Sequence, residues 1–278
     1  MTMTTANAVS SFSTDTSPLA MPSVSGDLAR KTLVSAPITE VFSSFQGEGP
    51  HIGERQVFVR FSHCHLHCSY CDTAMSQPDG QCWVETEPAS GVWDKHPNPQ
   101  LPHSLDGLVE QLWCQTPHHS VSLTGGEPLL YGRFLSQWLP LLNKPVYLET
   151  SGTHPAVLAS IAPWVSTIAM DIKLPSATGE PWQSDAHREF IADAQENPQC
   201  ELFIKLILNN AVTSDELGHV MELVSNRNIP VFVQPVTNPN GLSTDVLATT
   251  VFNAVQHLTR HFTSVRVIPQ SHKLMGLT

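Results

Sequence analysis

The sequence alternates short apolar runs rich in β-branched residues with stretches of helical periodicity, from Ile38 almost to the C-terminus. The apolar runs predict strands at 56–61, 120–124, 146–149, 167–172, 202–208, 230–234 and 264–269. Helical spacing predicts helices at 104–115, 131–142, 155–161, 185–196, 213–227 and 243–262, and Thr213 with Glu216 is a potential capping box. Such alternation favours a parallel sheet with helices outside it. About six βα units therefore predict an α/β fold with a partial or distorted TIM-type (β/α) barrel.

Two segments depart from this pattern. Residues 1–36 are dominated by Ser, Thr, Ala and other small residues, which bury too little apolar surface to offset their ordering entropy, so we expect a disordered tail there. Residues 37–278 are then expected to form one domain. Within it, about 75–101 is rich in Pro and Gly and predicts an irregular insertion after a cysteine-containing loop.

Composition limits the classes of partner. The 14 basic and 25 acidic residues give a net charge of -11, the wrong sign for direct nucleic-acid binding. No run approaches the roughly 20 apolar residues of a membrane span, and no basic segment followed by an apolar one marks a signal peptide. Cys82, Cys114 and Cys200 are scattered, unlike the framework of a small secreted protein. We therefore expect a cytoplasmic protein with no membrane partner.

The most informative motif is the C-x3-C-x2-C run of Cys64, Cys68 and Cys71. Three thiolates so close in sequence can converge on one soft metal centre. An iron-sulfur cluster held by three cysteines leaves one iron open to a small molecule, whereas a four-cysteine site is closed. Two other interpretations stay open from this stretch alone. A zinc site could take a nearby histidine as its fourth ligand, the candidates being His63, His65 and His67, or the thiols could be inert.

Polar and glycine-rich residues follow most of the predicted strands. They include Thr124-Gly-Gly-Glu-Pro128, Glu149-Thr-Ser-Gly-Thr153, Asp171-Ile-Lys173, Gln234-Pro235 and Pro269-Gln-Ser-His272. In a βα barrel the carboxyl ends of the strands share one face, where active sites are built. We therefore expect the cysteine loop and these strand ends to line one pocket.

These motifs together resemble the radical S-adenosylmethionine superfamily and, within it, the 7-carboxy-7-deazaguanine synthases of queuosine and deazapurine biosynthesis. The broader resemblance rests on the cysteine run followed by Thr-Gly-Gly-Glu-Pro. The narrower one rests on Phe45-Gln-Gly-Glu-Gly49, Gly53, Phe58-Val-Arg60, Cys71-Asp-Thr73 and the terminal Val265–Lys273 stretch. It covers the chain from about Ile38 onward and implies a radical S-adenosylmethionine core.

The resemblance implies a lyase with a [4Fe-4S] cluster, S-adenosylmethionine and Mg²⁺. Reductive cleavage of S-adenosylmethionine would yield a radical that takes a hydrogen from 6-carboxy-5,6,7,8-tetrahydropterin. Ring contraction with loss of ammonia would then give 7-carboxy-7-deazaguanine. The expected partners are this pterin, an electron donor such as a flavodoxin or ferredoxin, and a second copy of the chain in a homodimer.

The same resemblance assigns individual residues. Cys64, Cys68 and Cys71 would hold the cluster and Thr73 the magnesium ion. The cofactor would contact Tyr70, Asp72, Gly126, Glu127, Asp171, Lys173 and Gln234. The substrate would contact Phe45, Gln46, Gly47, Arg60, Thr124 and Thr278.

Three positions depart from the usual family pattern: His63 replaces Gly, Tyr70 replaces Trp, and Asp171-Ile-Lys173 replaces Ser-Pro-Lys. The last of these is similar to glycyl-radical activating enzymes, which use the same cysteine spacing. Those activases lack the Phe-Gln-Gly-Glu-Gly segment. An activase acting on a protein, and a non-catalytic zinc-binding scaffold, are the two alternatives to the synthase.

Overall fold

One open sheet of ten strands organises the part of the chain that the computed structural model describes, which is residues 34–71, 80–238 and 243–277. The strands are β1 Ile38–Phe45, β2 Arg55–Phe61, β3 Gln81–Glu85, β4 Trp93–Pro97, β5 Ser120–Gly125, β6 Val146–Thr150, β7 Thr167–Asp171, β8 Glu201–Leu208, β9 Val231–Pro235 and β10 Val265–Val267. Their order in the sheet is β10-β9-β8-β7-β6-β5-β2-β1-β3-β4. From β2 to β10 along this order all neighbours are parallel, while β1 is antiparallel to β2.

Helices connect the parallel strands. They are α1 Pro102–Trp113, α2 Gly132–Leu142, α3 Pro155–Ile161, α4 Pro175–Thr178, α5 Ser184–Glu196, α6 Ser214–Leu223, α7 Ala248–Leu258 and α8 Ser271–Leu274. In α2 the buried residues Phe134, Leu135, Trp138, Leu139 and Leu142 recur at helical spacing and form the face that packs on the core. The helix ends where Asn143 takes a left-handed conformation, with φ of 42°. Among the described residues, no helix combines the length and apolar character that crossing a membrane requires.

The expected α/β partial barrel is confirmed, since the sheet does not close on itself. All seven strands predicted from apolar runs are present, with ends that shift by a few residues. The capping box at the start of α6 is also confirmed, because Thr213 Oγ1 accepts from the Glu216 amide and the Glu216 carboxylate accepts from the Thr213 amide.

Three strands differ from the sequence-based expectation. β1 was not predicted because Thr39, Glu40, Ser43 and Ser44 interrupt its apolar residues. Residues 81–97, within the segment expected to be irregular, form the β3–β4 hairpin. Of the described Pro and Gly residues in this segment, Pro88 and Gly91 lie between the two strands, Gly80 and Pro99 flank them and Pro97 ends β4. No described strand pairs with the far edge of β4.

The topology places two loops at opposite ends of the parallel barrel strands. The cysteine loop follows the C-terminal end of β2, and the turn from Gln46 to Glu54 precedes the N-terminal end of the same strand. That turn is closed by hydrogen bonds between the Gln46 amide and Glu54 carbonyl (2.9 Å) and the Gly53 amide and Gln46 carbonyl (2.8 Å). Gln46, Gly47 and Glu48 nevertheless line the same cavity as the cysteines. The cavity therefore extends along the inside of the sheet from one loop to the other.

Candidate active site

A cavity of about 520 Å³ inside the partial barrel gathers the residues predicted to form the site. Its lining includes every described member of that set: Phe45, Gln46, Gly47, Arg60, Cys64, Cys68, Tyr70, Cys71, Thr124, Gly126, Glu127, Asp171, Lys173 and Gln234. The predicted residues Asp72, Thr73 and Thr278 lie outside the described residues. The structure thus brings the described candidates together, and the ligand that each one contacts stays a prediction.

The three cysteines lie at one end of the cavity. The Cys71 amide donates to the Cys68 carbonyl (3.0 Å), and the Leu66 amide lies 3.5 Å from the Cys64 sulfur, so local hydrogen bonds shape the loop. Burial raises the pKa of the Cys64 and Cys68 thiols above the ordinary value, and binding to a metal would therefore release their protons. None of the six cysteines forms a disulfide.

The neighbouring histidines are engaged away from this centre. His63 Nδ1 is 2.8 Å from the Tyr131 hydroxyl, and His65 Nε2 is 3.0 Å from Thr153 Oγ1. The His67 side chain is 81% exposed. Of the described residues that line the cavity, none is one of these three histidines. None of these three described histidines is therefore placed to supply the fourth ligand that the zinc interpretation requires.

The three thiols suit a centre larger than one ion. Across the described ranges, no three His, Cys, Asp or Glu side chains are grouped closely enough to hold a single metal ion. In a cubane cluster each thiolate binds a different iron atom, so the ligands stand further apart around the centre. Cys64, Cys68 and Cys71 all line the one cavity, and three cysteine ligands would leave one iron of such a cluster open.

The Gly-Gly-Glu-Pro turn after β5 fixes the start of the cysteine loop. The Gly126 amide donates to Phe61 O (2.9 Å), and the Glu127 amide donates to His63 O (2.7 Å). A Cβ on Gly126 would lie 1.9 Å from that same His63 oxygen, so only glycine permits this approach of the two backbones. The position of the cysteine loop thus depends on Gly126.

Glu127 holds this turn through its buried side chain. Its Oε1 accepts from the Leu129 amide (3.1 Å) and Thr150 Oγ1 (2.8 Å), and its Oε2 accepts from the Ser151 amide (2.8 Å) and Ser151 Oγ (2.6 Å). Four donors occupy most of the carboxylate's acceptor capacity. His187 of α5 supports the same unit, with Nε2 3.1 Å from Ser151 O. Glu127 therefore stabilises the turn through contacts within the protein, independently of any ligand bound beside it.

Lys173 and Asp171 form an ion pair (2.7 Å) on the wall between the two ends of the cavity, with Lys173 Nζ 5.4 Å from the centre of the Tyr70 ring. Burial opposes the charged form of Lys173, but the charges of Asp171 and Cys68 outweigh it and raise the lysine pKa. Asp171 Oδ1, the Tyr70 hydroxyl and Gln234 Oε1 are buried and have no hydrogen-bond partner among the described residues. Buried polar atoms without partners on a cavity wall indicate groups that a ligand satisfies.

Glu48 and Lys205 form a buried ion pair at the far end of the cavity. Burial alone would raise the pKa of Glu48, but Lys205, helped by Gln270, outweighs it and brings the pKa to about 2. The Glu48 carboxylate also accepts from Gln234 Nε2 (3.1 Å) and Gln270 Nε2 (2.8 Å). The charge of Glu48 in turn raises the pKa of Lys205 against the effect of burial. Both groups are therefore charged at neutral pH.

A second polar group lies beside this pair. Gln46 Nε2 donates to Gln56 Oε1 and to Glu149 Oε1, both at 3.1 Å, and Glu149 Oε2 accepts from Thr124 Oγ1 (2.8 Å). Gln46 Oε1 accepts from the Glu48 amide (3.0 Å). These bonds fix the orientation of the Gln46 amide and so the pattern of donors and acceptors around it.

The C-terminal segment covers the turn between β1 and β2. The Ser271 amide and hydroxyl both donate to Gly47 O (3.0 Å each), and Leu277 lines the cavity. A Cβ on Gly47 would lie 2.0 Å from the His272 ring, so this contact requires glycine. The described residues of the C-terminal segment therefore reach the cavity.

Glu149, Gln270 and His272 belong to the strand ends expected to line the pocket and do line it, but they were assigned to no ligand, as were Glu40, Glu48 and Lys205. Glu48 and Gln270 lie inside motifs that carried the family resemblance, and Glu149 and Lys205 lie on predicted strands. Inward-facing charged residues on such strands were the signal that could have identified them. Glu40 lies on β1, which was not predicted.

Comparisons with solved structures show the fold. QueE from Escherichia coli matches with a TM-score of 0.54 and 19% identity over 86% of this chain and 95% of that chain. A radical SAM methyltransferase from Sphaerobacter thermophilus matches with a TM-score of 0.51 and 13% identity over 83% of this chain and 77% of the other. No protein-family model matches the sequence.

The open barrel of this protein thus has the fold of these solved enzyme structures. A relative from Geobacter sulfurreducens named 7-carboxy-7-deazaguanine synthase is 39% identical over 247 residues, which are 87% of this chain and 97% of the relative. The chain belongs to the 7-carboxy-7-deazaguanine synthase family. This membership disfavours both the glycyl-radical activase and the zinc-binding scaffold.

Proposed function

We propose that this enzyme converts 6-carboxy-5,6,7,8-tetrahydropterin to 7-carboxy-7-deazaguanine with loss of ammonia. The observation that carries the proposal is a single cavity with two chemically different ends. Three thiols lie at one end, and a fixed set of amide and carboxylate groups lies at the other. Such a cavity can hold a cluster-bound cofactor beside a heterocyclic substrate.

Cys64, Cys68 and Cys71 are the proposed ligands of a [4Fe-4S] cluster. When bound, the cluster and S-adenosylmethionine supply a radical that removes a hydrogen from the substrate. The surrounding residues position the reacting carbon and exclude water and stray hydrogen donors.

The proposed S-adenosylmethionine site extends from Gly126 and Glu127 along Tyr70, Asp171, Lys173 and Gln234. The partnerless Asp171 Oδ1 and Gln234 Oε1 can accept hydrogen bonds, and the cofactor offers donors in its ammonium, ribose hydroxyl and adenine amino groups. Asp171 would serve this purpose where the family usually has serine.

The substrate is proposed to lie against Phe45, Gln46 and Gly47, with Thr124 and Arg60 near its carboxylate. The guanidine-like edge of a pterin matches an oriented amide and backbone groups, and the ionised Glu48 adds an acceptor at the same end. A guanidinium fork is the fitting partner for a carboxylate.

Five further assignments rest on the family resemblance. Thr73 is proposed to hold Mg²⁺ together with the substrate carboxylate and water, as this ion commonly keeps several waters. Asp72 is proposed to contact the cofactor and Thr278 the substrate. The electron donor is proposed to be a flavodoxin or ferredoxin, and the assembly a homodimer.

Product analysis tests the proposal. Reduced, cluster-loaded protein is incubated anaerobically with S-adenosylmethionine, Mg²⁺ and the carboxytetrahydropterin, and the expected product is the carboxydeazaguanine. Omission of Mg²⁺ should lower turnover if the ion binds the substrate carboxylate. Cleavage of S-adenosylmethionine without formation of the deazaguanine would contradict the assigned substrate.

Cys68→Ala tests the cluster assignment. It should abolish iron and sulfide incorporation together with product formation, because two thiolates cannot hold the cluster in place. Cys114→Ala is the matched control, since Cys114 is exposed and outside the cavity. An active Cys68→Ala variant with bound iron would refute the assignment.

A further inference from the structure

Arg60 has a partner of its own inside the cavity, the carboxylate of Glu40 on the neighbouring strand. Resting on the proposed function, we propose that Glu40 is a positioning residue that orients the Arg60 guanidinium toward the substrate carboxylate. No residue of β1 before Phe45 entered the sequence-based assignment. Glu40 and Arg60 both line the cavity.

The two residues are held together by the sheet. Glu40 of β1 and Arg60 of β2 are direct cross-strand partners in the antiparallel register. Arg60 Nε donates to Glu40 Oε1 at 2.5 Å, with about a fifth of each side chain exposed. Because the backbone register fixes both Cα positions, forming this ion pair costs less conformational entropy than forming a surface ion pair does.

Two more contacts restrict Arg60. Its guanidinium carbon lies 5.5 Å from the centre of the Phe42 ring. Its Cγ passes so close to Gly125 that a Cβ there would approach it to 2.6 Å. Phe42 itself stacks on Phe58, with ring centres 5.2 Å apart. The arginine stem is therefore packed on one side by the Gly125 backbone and on the other by a fixed aromatic ring.

This arrangement determines which edge of the guanidinium is available. Glu40 occupies Nε, and the two terminal Nη groups of Arg60 have no hydrogen-bond partner among the described residues. A substrate carboxylate can thus bind two parallel N–H groups at the Nη1/Nη2 edge. Without Glu40, the guanidinium could rotate and present a different edge.

A neutralising role and an orienting role of Glu40 predict opposite effects of its removal on substrate binding. If Glu40 only neutralised Arg60, its removal would leave a more positive site and tighten the binding of an anionic substrate. If Glu40 orients Arg60, its removal weakens binding, because misplacement of a positioning group costs up to about 100-fold. The sign of the change therefore distinguishes the two roles.

The experiment compares Glu40→Ala and Glu40→Gln with wild type under anaerobic turnover, measuring KM separately for the pterin and for S-adenosylmethionine. Glu40→Ala should raise the pterin KM by about tenfold or more and increase cofactor cleavage that yields no product. Glu40→Gln keeps an acceptor for Arg60 Nε, so its pterin KM should stay within about threefold of the wild-type value. The KM for S-adenosylmethionine and the iron content should not change. Glu87→Ala, an exposed glutamate between β3 and β4, is the control.

A double-variant cycle tests whether Glu40 acts through Arg60. Adding Glu40→Ala to Arg60→Ala should raise the pterin KM no further, because the group to be oriented is gone. An additive loss would mean direct substrate contact by Glu40 and would overturn the proposal, as would an unchanged or lowered pterin KM in Glu40→Ala. Equal KM changes for both ligands would indicate a general structural defect and overturn it too. A wild type that forms no deazaguanine overturns the proposed function and this inference with it, whereas failure of the inference alone leaves wild-type turnover intact.

Discussion

Replacing Lys205 by methionine tests the buried ion pair at the end of the cavity. Methionine keeps most of the side-chain volume, so the change removes the cation without creating a large cavity. It leaves Glu48 buried with its hydrogen bonds to Gln234 and Gln270 but without a counter-charge. The expected result is a large loss of stability at neutral pH.

The magnitude follows from the Glu48 carboxyl. Its pKa is about 2 instead of the ordinary 4.5, and a difference of that size corresponds to about 3 kcal/mol of stabilisation at pH 7. Removing one partner of a buried pair typically costs about 3–5 kcal/mol, since the other charge remains desolvated. We therefore expect Lys205→Met to lower the free energy of unfolding by about 3 kcal/mol or more.

The pH dependence of the Glu48 contribution to stability should have opposite signs in wild type and in Lys205→Met. In wild type the folded-state pKa of Glu48 is depressed, so its contribution is present above about pH 4.5 and is lost as the pH falls toward 2. In Lys205→Met the effect of burial dominates and raises that pKa. Glu48 then favours the folded state below its ordinary pKa, and this stability is lost as the pH rises. The difference between variant and wild type should therefore shrink between pH 7 and pH 4.

Equilibrium urea unfolding at pH 7 and pH 4, followed by far-UV circular dichroism, measures both effects. Lys144→Met is the matched control, because Lys144 pairs with the half-exposed Glu110 and should cost less than about 1 kcal/mol. Adding Glu48→Gln to Lys205→Met should recover part of the lost stability. The reasoning is refuted if Lys205→Met matches the control at pH 7, or if the double variant is less stable than the single one.

Three further predictions concern other parts of the site. Gly126→Ala should reduce iron incorporation, because its Cβ would collide with the His63 carbonyl. Gly107→Ala in α1 is the control: its Cβ meets no atom within 4 Å, so the change should leave iron content unaltered and protein stability unchanged or higher. Equal iron contents in the two variants would contradict this prediction. His187 has a pKa of about 4 because burial disfavours its charged form, so it should contribute to a loss of stability as the pH falls from 6.5 toward 4. In urea unfolding, His187→Gln should reduce that loss. An unchanged dependence of the unfolding free energy on pH would argue against this role of His187. Arg60→Ala should raise the pterin KM by about 30-fold, equivalent to about 2 kcal/mol, without changing iron content, and an unaltered KM would remove Arg60 from the site.

The sequence predicted the parallel part of the fold because its strands are rich in apolar and β-branched residues and alternate with stretches of helical spacing. β8, for example, reads Glu-Leu-Phe-Ile-Lys-Leu-Ile-Leu and is buried over nearly its whole length. β1 escaped prediction since polar residues interrupt its apolar ones, and two of them, Thr39 and Glu40, line the cavity. A strand that contributes to a polar site loses the apolar pattern by which strands are identified.

The site could be predicted as a set of residues but not as a set of contacts. Glu48 and Lys205 are 157 positions apart, and nothing local to either residue shows that they pair. Glu127 was assigned to the cofactor from its motif, whereas its four hydrogen-bond donors come from within the protein, three of them from Thr150 and Ser151. Such partners depend on the strand order of the finished sheet.

The contact of Gly47 with Ser271 joins positions 224 residues apart. During synthesis the cysteine loop leaves the ribosome long before the residues that cover the turn at the other end of the pocket. A chain that stops short of Ser271 would thus carry its thiols at one end of a cavity whose other end lacks this covering segment.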